Sequence, residues 1–309
     1  MAQDLTSHPW FFSGIGGSGM LPLAMILRGR GATIAGSDRS RDQGRTPEKF
    51  AWLEAQGISL FPQDGTGVTS PDQIIVASAA VEDTVPEMIR AAELGCHRMT
   101  RAQLLSTLFN LAPQGIAIAG TSGKSTVTAM LGWILTACGR DPTIMNGAVM
   151  KNFVSPDMPF ASARVGQGEA FVSEVDESDG SIALYRPAVG LLLNVSLDHK
   201  GMDELRVLFG DYLAASVRTV VNFDDAEARA LVARAVSPIG FGIESVDARI
   251  GIEPHSIAER ETGIAAIVLD REAGARHPLD LAMPGRHNLA NALAAIAGAH
   301  AAGVGVGEA

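Results

Sequence analysis

Residues 120–126 read Gly-Thr-Ser-Gly-Lys-Ser-Thr, and residues 14–19 read Gly-Ile-Gly-Gly-Ser-Gly. Each run sits between an apolar stretch and a helix-forming one. In that setting main-chain N–H groups can approach a phosphate, and the dipole of the following helix favours its charge. In the later loop Lys124 is placed to neutralise the β and γ oxygens of a nucleotide, and the Ser125 hydroxyl is a ligand for Mg²⁺. The loop departs from the strict GxxxxGK[ST] pattern, since its first glycine is Gly120 and position 118 is Ile. In the earlier loop Gly14, Gly16 and Gly19 form GxGxxG, and Asp38 follows 19 residues after Gly19, where a dinucleotide fold puts its ribose-binding acid. Taken alone this loop fits a tight structural turn as well as a nucleotide. Two phosphate loops in one chain argue against a dehydrogenase, which has no use for a P-loop lysine. They imply two phosphorylated ligands, one of them a nucleoside triphosphate.

Two further segments carry chemistry. Glu174-Val175-Asp176-Glu177-Ser178-Asp179 ends an apolar run that starts at Ala170. Four carboxylates at a strand end, opposite a P-loop, suit Mg²⁺, although a solvated acidic loop reads the same way. Leu191-Leu192-Leu193 leads into Asn194 and then Asp198-His199. This is again the carboxyl end of a buried strand, the edge at which open α/β sheets bind ligands.

The elements that must position these residues alternate in type. Strands are expected at Trp10–Phe12, Ala32–Ala35 and Ile74–Ala77, and helices at Leu21–Leu27, Phe50–Gln56 (capped by Gly57) and Val85–Leu94 (stopped by Gly95). A βαβαβα order implies a parallel sheet with helices on both faces. Pro113-Gln114-Gly115 interrupts the pattern and marks a boundary between a domain of residues 1–112 and one of residues 113–309. The second domain opens with a strand at Ile116–Ala119 and a helix at Lys124–Ala137. Strands at Ala170–Val175, Val189–Val195 and Thr219–Asn222 follow, then a polar stretch, Glu244–His277, with hairpin strands near Ala265–Leu269. An alanine-rich helix, Leu289–Ala302, closes it. Gly303–Ala309 reads as a flexible tail that begins a connection.

Composition narrows the class. The 309 residues, 47% hydrophobic and 19% charged, fit about two globular domains. The net charge is −10 and there is no Lys/Arg cluster, which argues against nucleic acid as a partner. The densest basic run, Arg39 to Arg45, contains Asp42 and reads as a solvated loop. Cys96 and Cys138 form neither a CxxC pair nor a zinc spacing, as expected for a reducing compartment. No uninterrupted apolar run of about 18 residues and no signal-peptide pattern is present, so the expectation is a cytoplasmic protein with no membrane partner.

The two glycine loops, the acidic strand end, Asn194 to His199, and Pro284-Gly285-Arg286-His287-Asn288-Leu289-Ala290-Asn291 occur together in the order found in Mur ligases, and the chain resembles that family along essentially its whole length. Its alanine-adding branch is the most similar. The resemblance implies a Rossmann-like N-terminal domain that binds a UDP-sugar, followed by a P-loop central ATPase domain. It implies substrate contacts from Gly14, Ile15, Gly16, Gly17, Ser18 and Gly19, with Ser37, Asp38, Ser78 and Ala79 nearby. ATP would be held by Gly120, Thr121, Ser122, Gly123, Lys124, Ser125 and Thr126. His287, Asn288 and Asn291 would meet the adenine, and Asn288 and Asn291, three apart, fall on one helix face. Ser125 and Glu174 would ligand Mg²⁺, and His199 a second Mg²⁺, which makes Lys124, Glu174 and His199 the catalytic set. The implied reaction joins a UDP-N-acetylmuramate carboxylate to an amino acid through an acyl phosphate, with no covalent enzyme nucleophile.

Three departures qualify the resemblance. The family's usual Gly-Thr-His-Gly-Lys-Thr-Thr is replaced here by serine at 122 and 125, so a hydroxyl is kept at 125 and an imidazole is lost at 122. Gly147 to Phe153 matches the usual sugar-side segment poorly, which leaves room for a paralogue with another UDP-sugar or amino acid. The family's C-terminal, amino-acid-binding domain is not among these residues, and the expectation is a chain that binds nucleotide without completing ligation alone. Other branches carry a carbamylated lysine after the Asp-His pair, whereas Gly210 to Ser216 has none, as in the alanine-adding branch. Two other functions stay open on the residues themselves: an NAD(P)-dependent oxidoreductase resting on GxGxxG and Asp38, and a nucleotide-binding regulatory protein without catalysis.

Overall fold

The computed structural model describes residues 5–78, 81–197 and 200–309. The chain divides into two compact units. One comprises Met1–Leu111 with Met145–Val165, the other Ala112–Ile144 with Gly166–Ala309. The break at Leu111 lies beside the boundary expected from sequence, but residues 145–165, expected in the second domain, group with the first.

The first unit is a parallel sheet. β1 (Trp10–Ser13) lies between β2 (Ile34–Ser37) and β4 (Ile74–Ala77), with β3 (Ser59–Phe61) and β5 (Arg98–Thr100) outermost. All four side chains of β1 are buried, as a central strand covered on both faces requires. α1 (Met20–Gly29), α2 (Arg39–Asp42), α3 (Pro47–Ala55), α4 (Pro86–Leu94) and α5 (Arg101–Asn110) make the connections. The run expected as a solvated loop therefore contains a one-turn helix, α2, because the Asp38 carboxylate caps it at the Ser40 amide. β2 begins two residues later than expected, and β3, β5 and α5 were not expected from the sequence, although the Thr100–Gln103 capping box and the spacing of Leu104, Leu105, Leu108 and Phe109 mark α5 as an amphipathic helix. Ser13 is level with Ser37 and Ala77, so the loops after β1, β2 and β4 share one edge. The order in which strands are added reverses between β1 and β4, which makes that edge the topological switch point. In residues 145–165, the Trp52 ring stands edge-on to Phe160, and its indole N–H donates to the Asp157 carbonyl (3.0 Å).

In the second unit β12 (Pro238–Phe241), β11 (Arg218–Asn222), β10 (Val189–Leu192), β6 (Gln114–Ala119) and β9 (Ala170–Glu174) run parallel in that order. β7 (Thr143–Met145) spans the point where the chain leaves this unit, and β8 (Ala163–Arg164) ends the segment grouped with the first. β13 (Ile250–Ile252) continues the parallel run beside β12, and beyond it the sheet turns antiparallel through β15 (Gly263–Asp270), which pairs with β14 (Ala258–Arg260) and β16 (Ala275–Leu281). The helices are α6 (Lys124–Ala137), α7 (Met202–Ala215), α8 (Ala226–Ala230) and α9 (Arg286–Ala301). α9 is alanine-rich because it is buried against its neighbours. A Cβ at Gly298 would lie 3.0 Å from Leu191 and 3.1 Å from Leu131. The tail expected after α9 is instead packed. Val304 and Val306 are buried, and Arg140 donates to the Gly303 carbonyl (3.0 Å), so alternate apolar residues anchor the segment. Among the described residues no helix is long and apolar enough to cross a membrane.

Candidate functional site

The first glycine loop leaves β1 at Gly14, which has φ +80°, and delivers the chain to α1. Ile15 is fully buried, whereas Gly17 and Ser18 are exposed. Asp38 is buried, and its two carboxylate oxygens accept from the Gly16 and Ser40 amides, both at 2.8 Å. The acid expected to meet a ribose thus pins the glycine loop and caps α2 at once. A Cβ at Gly16 would lie 2.9 Å from the Phe50 ring and 3.0 Å from the Asp38 carboxylate, so a side chain there requires its neighbours to shift. Ser37, also buried, donates its hydroxyl to Glu87 (2.6 Å). Ser78 sits at the end of β4 on the same edge, and Ala79 lies outside the described residues. Two cations that belong to no motif also stand here. Lys49 donates to the Gly16 carbonyl (3.1 Å), and the Arg101 side chain would be 2.9 Å from a Cβ at Gly19.

The second loop joins β6 to α6. Register fixes its surroundings: Ala119 is level with Leu192, and Ile118 with Glu174, so the loop, the acidic segment and Asn194 emerge at one edge. Gly120 (φ +138°) and Gly123 (φ +85°) take backbone shapes that a side chain would strain. Asn194 braces the loop. Its carboxamide accepts from the Thr121 hydroxyl (2.8 Å) and the Ser122 amide (2.9 Å) and donates to the Ser122 carbonyl (3.1 Å).

The four carboxylates expected to share a metal are divided among three tasks. Glu174 accepts from the Ser125 hydroxyl (2.6 Å). Glu177 pairs with the Lys124 ammonium (3.0 Å). Asp176 and Asp179 hold their own turn through the amides of Ser178 (2.9 Å) and Ser181 (2.8 Å). The Ser125–Glu174 pair offers two oxygen donors at the mouth of the phosphate loop, a donor set that suits Mg²⁺. Among the described residues no group of three or more His, Cys, Asp and Glu side chains converges, and His199 lies outside them.

Beside the loop is a cavity of about 400 Å³ that brings together Ser122, Gly123, Thr126, His287, Asn288 and Asn291. Asn222 and Phe241, at the ends of β11 and β12, complete one wall. Neither belongs to a motif visible in sequence. They arrive through the parallel register Asn222–Phe241. Asn288 also donates to the Pro284 carbonyl (2.7 Å), which ties the start of α9 to its preceding turn.

The chain is similar to known proteins. Residues 11–112 match the model of the Mur ligase family, catalytic domain, and residues 118–299 that of the Mur ligase middle domain. The chain is 37% identical over 301 residues to a UDP-N-acetylmuramate–L-alanine ligase of Nitratidesulfovibrio vulgaris (strain DP4), covering 94% of this chain and 62% of the relative. It is 36% identical over 311 residues to the enzyme of that name from Streptomyces coelicolor, covering 96% and 63%. The chain thus spans about three fifths of the length of these relatives. The crystal structure of UDP-N-acetylmuramate–alanine ligase from Thermotoga maritima superposes with a TM-score of 0.81 at 24% identity, covering 97% of this chain and 66% of that one. A UDP-N-acetylmuramate:L-alanyl-gamma-D-glutamyl-meso-diaminopimelate ligase from Neisseria meningitides gives 0.80 at 23%, covering 97% and 95%. At such identities the two structures speak for the fold alone. With both glycine loops at the carboxyl edges of parallel sheets, and the middle-domain match spanning more than half of its residues, the chain belongs to the Mur ligase family.

Proposed function

We propose that this chain contributes the UDP-sugar and ATP sites of a ligase that joins the carboxylate of UDP-N-acetylmuramate to L-alanine during peptidoglycan precursor synthesis. The activity is that of the whole protein. The observation that carries the reading is the gathering, around one glycine loop, of Lys124, the Ser125–Glu174 pair and the cavity lined by His287, Asn288 and Asn291.

In this reading the carboxylate attacks the γ-phosphorus of ATP, ADP leaves, and the amine displaces phosphate from the acyl phosphate to form the amide. Lys124 stabilises the charge that builds on the phosphate oxygens. Ser125 and Glu174 would hold Mg²⁺, which would supply Lewis-acid neutralisation of the same oxygens. Asn194 keeps the loop in a shape that spends no energy on rearrangement when phosphate arrives. His287, Asn288 and Asn291 line the adenine cavity, and Lys49 and Arg101 flank the loop that takes the UDP diphosphate. A cytoplasmic location is part of the same proposal, since it is the compartment that supplies ATP.

Thermal shift with three ligands tests the assignment. ATP–Mg²⁺ and UDP-N-acetylmuramate, at about 100 times their Kd, should each add roughly 2.7 kcal/mol of stability, and NADH none. Stabilisation by NADH alone would replace the ligase reading with an oxidoreductase.

A further inference from the structure

The Lys124 ammonium has three N–H donors, and the structure places three acceptors around it. These are the Gly120 carbonyl (2.7 Å) and the two Glu177 carboxylate oxygens (3.0 and 3.3 Å). Glu177 is only 4% exposed. A carboxylate so buried persists as an anion only with a cation beside it, and Lys124 is that cation. The other carboxylates of the segment are engaged elsewhere, by Ser125, Ser178 and Ser181. Glu177 is therefore the one whose charge is spent on the phosphate-loop lysine.

We propose that Glu177 competes with the terminal phosphates of the nucleotide for Lys124, so that binding at the second glycine loop is an exchange of one anion for another. The proposal rests on the reading of this loop as the ATP site. While Glu177 stays in place, the positive charge of Lys124 is already compensated, and an incoming phosphate meets a neutral pair. A phosphate engages the ammonium by displacing the carboxylate, which needs rotation of the Glu177 side chain and no covalent change. Such an exchange weakens any ligand whose phosphates must reach the ammonium, because the loss of the ion pair offsets part of the charge-assisted bonding from lysine to phosphate. A mononucleotide, whose single phosphate does not reach the lysine, loses nothing in the exchange. Glu177 is thus a specificity-determining residue that sets how strongly the site prefers a triphosphate.

The test is calorimetry on the full 309-residue chain with the Mg²⁺ complex of a β,γ-imido ATP analogue and, separately, with AMP. Glu177→Gln keeps the shape and removes the charge. It should tighten the analogue by about ten-fold, within the range of ordinary coupling between sites, and leave AMP unchanged. Glu177→Asp keeps the charge but withdraws it by one methylene. It should also tighten the analogue, and it serves as the second variant should Glu177→Gln lower the melting temperature. Analogue affinity equal to or weaker than wild type in both variants would overturn the exchange, as would an equal gain for AMP. A wild-type chain that binds neither ligand would remove the ATP-site reading itself, whereas binding without the Glu177 effect would remove only the exchange.

Discussion

The Ser125 hydroxyl donates to Oε2 of Glu174 across 2.6 Å, linking the first turn of α6 to the end of β9. Residues 49 positions apart in sequence thus present two oxygen atoms side by side, because β6 and β9 are adjacent parallel strands in register. Ser125→Ala should therefore weaken the Mg²⁺ complex of an ATP analogue by about 10- to 100-fold, and weaken the metal-free analogue far less. Ser125→Thr, which keeps the hydroxyl, should restore most of the affinity. Calorimetry with and without Mg²⁺ measures both.

Gly123 stands at φ +85°, and a Cβ there would lie 2.8 Å from the Asn291 carboxamide oxygen. Gly123→Ala should cost roughly 1–2 kcal/mol of stability through its backbone conformation. It should also push Asn291 out of place and lower nucleotide affinity. Urea unfolding gives the first quantity and nucleotide titration the second. UDP-sugar binding should be unaffected, since Gly123 belongs to the second unit.

Asp38 serves two amides, Gly16 and Ser40. Asp38→Ala removes a helix cap and a charge-assisted bond to a buried N–H, a loss of roughly 2–4 kcal/mol. Its effect on UDP-sugar affinity should come through the glycine loop, so Asp38→Asn, which keeps one acceptor oxygen, should recover part of both stability and affinity. Denaturant unfolding combined with UDP-N-acetylmuramate titration separates this loop role from direct contact with a ribose, for which the two variants would lose affinity without loss of stability.

Tyr212 on α7 donates its hydroxyl to the Ala117 carbonyl (2.8 Å) and is buried. Burial pushes its ionisation well above the ordinary tyrosine value. The folded chain therefore holds this proton where the unfolded chain releases it. Stability from this group is complete below the unfolded pKa of about 10 and falls as pH rises beyond it, by up to ~1.4 kcal/mol per pH unit. Urea midpoints between about pH 9 and 11.5 should fall more steeply for wild type than for Tyr212→Phe, which should itself cost about 1 kcal/mol at neutral pH. Equal slopes in the two proteins would show that Tyr212 ionises in the folded state.

Sequence alone determined the elements whose signals are local. The α6 range, Lys124–Ala137, follows from a glycine turn, a lysine and an apolar run, and β4 and the Gly95 stop of α4 follow from equally short patterns. The glycine loops were legible because backbone access to phosphate demands particular residues at particular spacings. What the carboxylates do was not legible, since partner choice depends on which strands lie side by side. Only the register of β6 with β9 assigns Glu174 to Ser125, and only the turn held by Asp176 and Asp179 presents Glu177 to Lys124. Asn222 and Phe241 reached the cavity by strand pairing, and Lys49 reached the Gly16 carbonyl from a helix with no motif. The packed end at Val304 and Val306 was likewise hidden, because its glycines read as freedom while two buried valines decide its place. Local chemistry is written in neighbouring residues, whereas long-range pairing is set by the free energy of burying whole strands and helices together.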